Sequence, residues 1–317
     1  MEMKLEPITR QSNGLSYIYS PEGFWEEGES GKKFWPACDY PKTKKRFVEK
    51  DQTIFWVEQE GEGPPLVLVH GGPGVDHRYF HPCLFSLAEK RRLIYYDLRA
   101  HGMSPESSPA RPHGVMQDAD DLDTLRLALG LERIDLLGHS YGGLVILAYA
   151  QKRPRNAGSL ILASVPLGET EEEIDRRIEL APITKKMQEA GSEDEYDKLY
   201  YEFYYHKPPP PDVVRYNKLS MESYNIEKNK ALLKSYESDN ISLDYKGIFT
   251  ALAVPVLIIA GKHDLIVNIE AIREVIVCSD IVDFKVYEES GHDPFVDEHE
   301  RFTSDVSEFL SRTDRDH

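Results

Sequence analysis

A doubly wound α/β fold, with a mostly parallel sheet and a helical cap inserted after a central strand, is what this 317-residue sequence predicts. Three observations carry that expectation. Short, unalternating apolar runs recur along the chain, helical patterns lie between them, and one long helical stretch interrupts the alternation. Apolar runs of that length fit strands covered on both faces. Their alternation with helices is the signature of a parallel sheet.

The chain divides on this reading into an N-terminal arm (1–45), a sheet core in two pieces (46–166 and 246–317) and a cap (167–245). The arm shows no clean period, but Phe24, Trp25, Phe34 and Trp35 are too many large aromatics for a plain disordered tail. It is read as a segment packed on the body. Ile54–Val57, followed by the turn Glu60–Pro64, suggests an early hairpin strand. Strands follow at Leu66–Val69, Leu93–Tyr96, Ile134–Leu137, Leu160–Leu162 and Val256–Ile259. Helical patterns span Ala119–Leu129 and Leu144–Gln151, and Val282–Tyr287 with Glu298–Leu310 supply a last strand and helix. The cap begins with a helical pattern at Glu169–Leu180. Pro208 to Pro211 interrupt it, because no helix interior tolerates four prolines.

Composition narrows the functions. The formal charge of −17, with no sustained basic stretch beyond Lys42–Arg46, disfavours a nucleic-acid partner. No apolar run approaches the roughly 20 residues that span a bilayer, and the first residues hold no signal-peptide core, so a cytoplasmic protein without membrane partners is expected. Cys38, Cys83 and Cys278 are too few and scattered for a disulfide framework. Homo-oligomerisation is compatible with the sequence.

Gly138-His139-Ser140-Tyr141-Gly142 fits Gly-x-Ser-x-Gly between a strand and a helix. That context suits a nucleophilic serine on a strained turn, with glycines removing the side chains that would clash. His70-Gly71-Gly72-Pro73-Gly74 directly follows a strand, so the Gly72 N–H, with that of Tyr141, could face a developing oxyanion. A phosphate loop is the competing reading, but no Gly-Lys-Ser/Thr follows. A serine hydroxyl needs a base. His292, in the loop after the last strand, is the candidate, and Asp264, after Val256–Ile259, would orient it. Glu169 is the substitute acid, and Asp293 stands too close to His292 in sequence to be preferred. No His-Glu-x-x-His and no Gly-x-Gly-x-x-Gly appear, so no metal or other cofactor is expected.

These motifs, with Asp97-Leu98-Arg99-Ala100-His101-Gly102-Met103-Ser104, resemble the α/β-hydrolase superfamily over residues 46–310, and most of all its proline iminopeptidase branch. The cap segment Phe203-Tyr204-Tyr205-His206 adds to the likeness. The resemblance implies release of an N-terminal residue, often proline, from short peptides, with cap carboxylates holding the substrate ammonium. Two departures bear on that. Many iminopeptidases carry Asp-Gln-Arg-Gly where this chain has Asp97-Leu98-Arg99-Ala100, and Gly and Trp where it has His139 and Tyr141.

Two substrate classes follow as expectations. Between 167 and 245 the chain has 18 acidic against 11 basic residues, and Glu222 and Glu237 are the candidate ammonium partners of a short peptide. The same stretch holds nine tyrosines, and Tyr200, Tyr201, Tyr204 and Tyr205, with Tyr205 foremost, are the candidates among them for lining a pocket that takes an apolar ester, lactone or amide.

Overall fold

The computed structural model describes residues 43–72, 74–107, 111–221, 244–277 and 279–314, together with the backbone of four N-terminal strands. Those strands, β1 (Ile8–Ser12), β2 (Leu15–Ser20), β3 (Gly23–Gly28) and β4 (Gly31–Pro36), pair antiparallel in chain order as a separate sheet. Sequence periodicity found no strands there.

The main sheet has eight strands: β5 (Lys44–Lys50), β6 (Thr53–Glu60), β7 (Pro65–Val69), β8 (Arg92–Tyr96), β9 (Ile134–His139), β10 (Ala157–Ala163), β11 (Val256–Gly261) and β12 (Val282–Tyr287). Their spatial order is β12-β11-β10-β9-β7-β8-β6-β5. Pairing is parallel from β8 to β12, and β6 alone runs against its neighbours β5 and β8. The hairpin expected around Ile54–Val57 is present with a different partner. β6 folds back on β5 through Asp51 and Gln52, both at positive φ (49° and 65°), the backbone that a tight hairpin turn with the right twist requires. The Gly61–Pro64 turn instead leads to β7, which pairs with β8 and β9.

The central strands β9, β10 and β11 are buried almost throughout, as their unbroken apolar runs require. Helices cover both faces. On one, α1 (Val115–Ala128) and α2 (Tyr141–Lys152) pack together, and Val145 to Ala150 of α2 are all fully buried. Between β10 and β11 the described chain is helical: α3 (Glu171–Leu180), α4 (Pro182–Glu189), α5 (Glu193–Tyr204), α6 (Pro211–Met221) and α7 (Tyr245–Ala251). Thr170 and Glu173 close a reciprocal capping box at the start of α3. The proline run separates α5 from α6, as the sequence predicts. After β11 come α8 (Ile269–Ile276), β12 and α9 (His299–Thr313), and Phe302 and Val306 of α9 are buried against the other face of the sheet.

Arg99, from the Asp97–Ser104 motif, holds the loops after β8 together. It is fully buried, and its guanidinium donates to Asp121 of α1 at 2.7 Å, to Glu106 at 2.5 Å and to the Arg111 and Pro112 carbonyls. Replacing it takes from the buried Asp121 carboxylate its nearest cationic partner and leaves Oδ2 without its donor. Arg99→Met is therefore expected to cost about 3–5 kcal/mol in chemical denaturation, and a loss under about 1 kcal/mol would show that this network is peripheral.

Candidate active site

Four loops meet at the carboxyl ends of β7, β9, β11 and β12, where parallel sheets place their ligands. At the end of β9 the backbone turns sharply at Ser140, whose φ of 50° and ψ of −120° lie in a region L-residues rarely adopt. Such strain costs on the order of 1–3 kcal/mol and persists only where its surroundings enforce it. Two hydrogen bonds do so. The Ser140 N–H donates to Ala163 O (2.9 Å), and the Gly143 N–H donates to Ser140 O (2.9 Å). Glycine is compulsory around the turn. A Cβ on Gly138 would lie 2.4 Å from Gly142 O, and one on Gly142 only 2.1 Å from Val69 O.

The acid and the histidine come from β11 and β12. Asp264 Oδ2 accepts from His292 Nδ1 at 2.8 Å, while its Oδ1 accepts from the Ile266 and Val267 N–H groups at 2.7 and 3.1 Å. Both oxygens are thereby aimed. The two loops touch through backbone, since a Cβ on Gly261 would sit 2.0 Å from Gly291 O and the His263 N–H donates to Ser290 O. Burial lowers the affinity of the His292 imidazole for its proton, but the charge of Asp264 and their hydrogen bond outweigh it, so its pKa rises above the ordinary 6.5.

The remaining sequence candidates fall as follows. Gly72 stands at φ 121°, a conformation glycine favours, and Tyr141 is the first residue of α2. The Gly71 N–H is already taken by the Tyr79 hydroxyl (2.7 Å), which makes Gly72 the next amide along that loop. Glu169 is committed to Arg177 at 2.5 Å, so it does not serve as the acid. Asp293 faces His139 rather than the imidazole of His292. Tyr205 is buried, stacked on Tyr201, and its hydroxyl accepts from the Asn217 amide, which gives it a packing role. Glu222 and Glu237 lie outside the described residues.

Sequence reasoning passed over His139, which ties the site together. Tyr79 Oη accepts from Gly71 N and so gives its own proton to His139 Nδ1 (2.9 Å). That leaves the imidazole proton on Nε2, 3.1 Å from His292 O. One chain of contacts thus runs from the glycine loop through the residue before Ser140 to the histidine loop, and the His139 and His292 rings lie 4.9 Å apart. The end of α5 joins on the other side. The His292 N–H donates to Tyr204 O (2.7 Å), and Asp297 accepts from the Gly291, His206 and Lys207 N–H groups. No motif marks these contacts, because they are made by backbone atoms and by residues far apart in sequence.

A strained serine after a strand, a glycine-rich loop beside it and a buried Asp–His pair on later loops define a family, and the chain belongs to it. Residues 64–299 match the model of the α/β hydrolase fold. Within that family the chain is most like the proline iminopeptidase branch. It is 29% identical over 293 residues to a proline iminopeptidase of Clostridium botulinum, covering 81% of this chain and 93% of that one. Among solved structures, a proline iminopeptidase of Mycobacterium smegmatis superposes with TM-score 0.68 at 22% identity over 86% of this chain and 99% of that one. An esterase of Exiguobacterium antarcticum does so with TM-score 0.67 at 23% identity, over 84% and 100%. At those identities the two structures speak for the fold. The chain is a hydrolase.

Two outcomes test this geometry. A base must be unprotonated to act. Because the His292 pKa is raised, labelling of the serine by a fluorophosphonate should fall on acidification with a midpoint above pH 6.5, and a midpoint below that value would contradict the Asp264 contact. Tyr79→Phe removes the proton given to His139. It should slow labelling roughly two- to tenfold, the equivalent of one buried hydrogen bond, and unchanged labelling would show that the Tyr79–His139 contact does not position the serine.

Proposed function

We propose that Ser140, His292 and Asp264 form the catalytic triad of a hydrolase working through an acyl-enzyme, and that its substrates are short peptides with a free N-terminus. The observation that carries the chemistry is the buried His292–Asp264 pair, 2.8 Å apart, facing the loop cluster in which Ser140 is held at positive φ. In this reading His292 Nε2 takes the Ser140 proton as Oγ attacks the carbonyl. The N–H groups of Gly72 and Tyr141 stabilise the oxyanion, and the leaving amine collects the proton from the imidazolium. Asp264 keeps the proton of neutral His292 on Nδ1, so that Nε2 is the basic nitrogen. Water then repeats the sequence on the acyl-enzyme.

The peptide assignment is supported by the likeness to proline iminopeptidases and by the acidic balance of residues 167–245. Glu222 and Glu237 are the proposed ammonium partners. Apolar esters are the second reading. One observation favours it: the Tyr204 ring lies 5.8 Å from that of His292 and 4.6 Å from that of Tyr200, an aromatic wall without charge.

Proline and alanine arylamides, compared with neutral acyl esters on the same preparation, decide between them. The account expects arylamide turnover that falls by roughly 10⁴ in Ser140→Ala, together with a rise in KM for Glu222→Gln or Glu237→Gln. Rapid ester cleavage without arylamide turnover would overturn the peptide assignment. Activity unchanged in Ser140→Ala would overturn the triad.

A further inference from the structure

His77 and His81 stand four residues apart on consecutive helical turns (His77–Phe80 and His81–Leu84), a spacing that puts two imidazoles on one face. Facing them from β6 is Glu58. All three side chains are buried, and one ligand atom from each lies within 4.8 Å of the other two. His77 Nε2 is 3.4 Å from Glu58 Oε1, and His81 Nε2 is 3.3 Å from Glu58 Oε2. None of His77 Nε2, His81 Nε2 and His81 Nδ1 completes a hydrogen bond. A buried imidazole whose nitrogens complete no well-formed hydrogen bond is costly.

From these residues we infer a binding site for one divalent transition-metal ion of the zinc class, held by His77, His81 and Glu58. Three features fit it. With metal–ligand bonds of about 2.0–2.2 Å, neighbouring ligands of a tetrahedral ion stand about 3.3–3.5 Å apart, and each imidazole lies 3.3–3.4 Å from one of the two Glu58 carboxylate oxygens. His77 Nδ1 meets Asp97 Oδ1 at 2.6 Å, the outer carboxylate that turns an imidazole's other nitrogen toward a metal. Charge agrees as well. Glu58 and Asp97 bring two negative charges into the interior, and the cation beside them, Lys45, reaches Glu58 at 3.5 Å from a side chain that is 23% exposed. A proton on His77 would answer the remaining charge but would leave His81 Nδ1 without a hydrogen-bond partner and its Nε2 with only the 3.3 Å approach to Glu58. Glu58 also accepts from Trp56 Nε1 (3.1 Å) and Thr43 Oγ1 (3.0 Å), contacts that fix its orientation and leave it further lone pairs.

The ion is structural in this reading. It pins the segment after the glycine loop to β6 and takes no part in attack by Ser140, so the inference stands or falls independently of the proposed substrate. The chain has no His-Glu-x-x-His. This set is His-x-x-x-His with a glutamate 19 positions upstream of His77, and only folding brings them together.

The test is metal content after expression in zinc-supplemented medium and washing with chelator, for the full chain and for His81→Gln and Glu58→Gln. The expected result is about one zinc per chain, reduced roughly tenfold or more in each variant. Protein grown with cobalt in place of zinc should show the strong visible absorption of a four-coordinate ion, a readout that needs no variant to fold. Wild-type protein that carries no stoichiometric metal and no such absorption overturns the site, as does zinc content equal in the wild type and in folded variants.

Discussion

Everything at the candidate site depends on how closely two pieces of backbone approach beneath Ser140. The turn after β9 lies so near the end of β7 that a single methyl group on Gly142 would come within 2.1 Å of Val69 O. This contact leaves no room for a relaxed turn. Ser140 is therefore held at positive φ at the entrance to α2. The strain is borne by the sheet on either side, where fully buried β10 supplies the acceptor for the Ser140 amide.

From that turn outward, the site is organised by hydrogen bonds that cross between elements distant in sequence. His139 meets both the glycine loop, through Tyr79, and the histidine loop, through His292 O. Asp297 binds three amides from two segments and fastens the end of α5 to the residues flanking His292. Burial raises the pKa of that carboxyl despite its three N–H donors, so acidification weakens the fastening sooner than it would for an ordinary aspartate. The imidazole of His292 is thus positioned from three sides: by Asp264 on its ring, and by Tyr204 and His139 on its backbone.

Much of this was legible in the sequence. The strands of the parallel sheet were readable because burial on both faces demands continuous apolar runs. The order serine, acid, histidine, each after a strand, singled out Ser140, Asp264 and His292 as candidates, and the structure brings Asp264 and His292 into contact. What escaped had no local signal. The β5–β6 hairpin closes through Asp51 and Gln52, which carry no glycine to announce a turn at positive φ. Tyr79 and His139 are linked across 60 positions, and Arg99 gathers its partners from α1 and from the connection that leads into it. Period and spacing report on neighbours along the chain; contacts between loops are decided by the packing of the finished sheet.

The central claim is that the strained turn and the Asp–His pair form one nucleophilic unit. Peptide mass spectrometry of fluorophosphonate-treated protein addresses it most directly. The account predicts a single adduct, on Ser140, whose formation is abolished in His292→Ala while that variant keeps the wild-type fold. An adduct on another serine, or labelling of Ser140 that persists at the wild-type rate without His292, would contradict it.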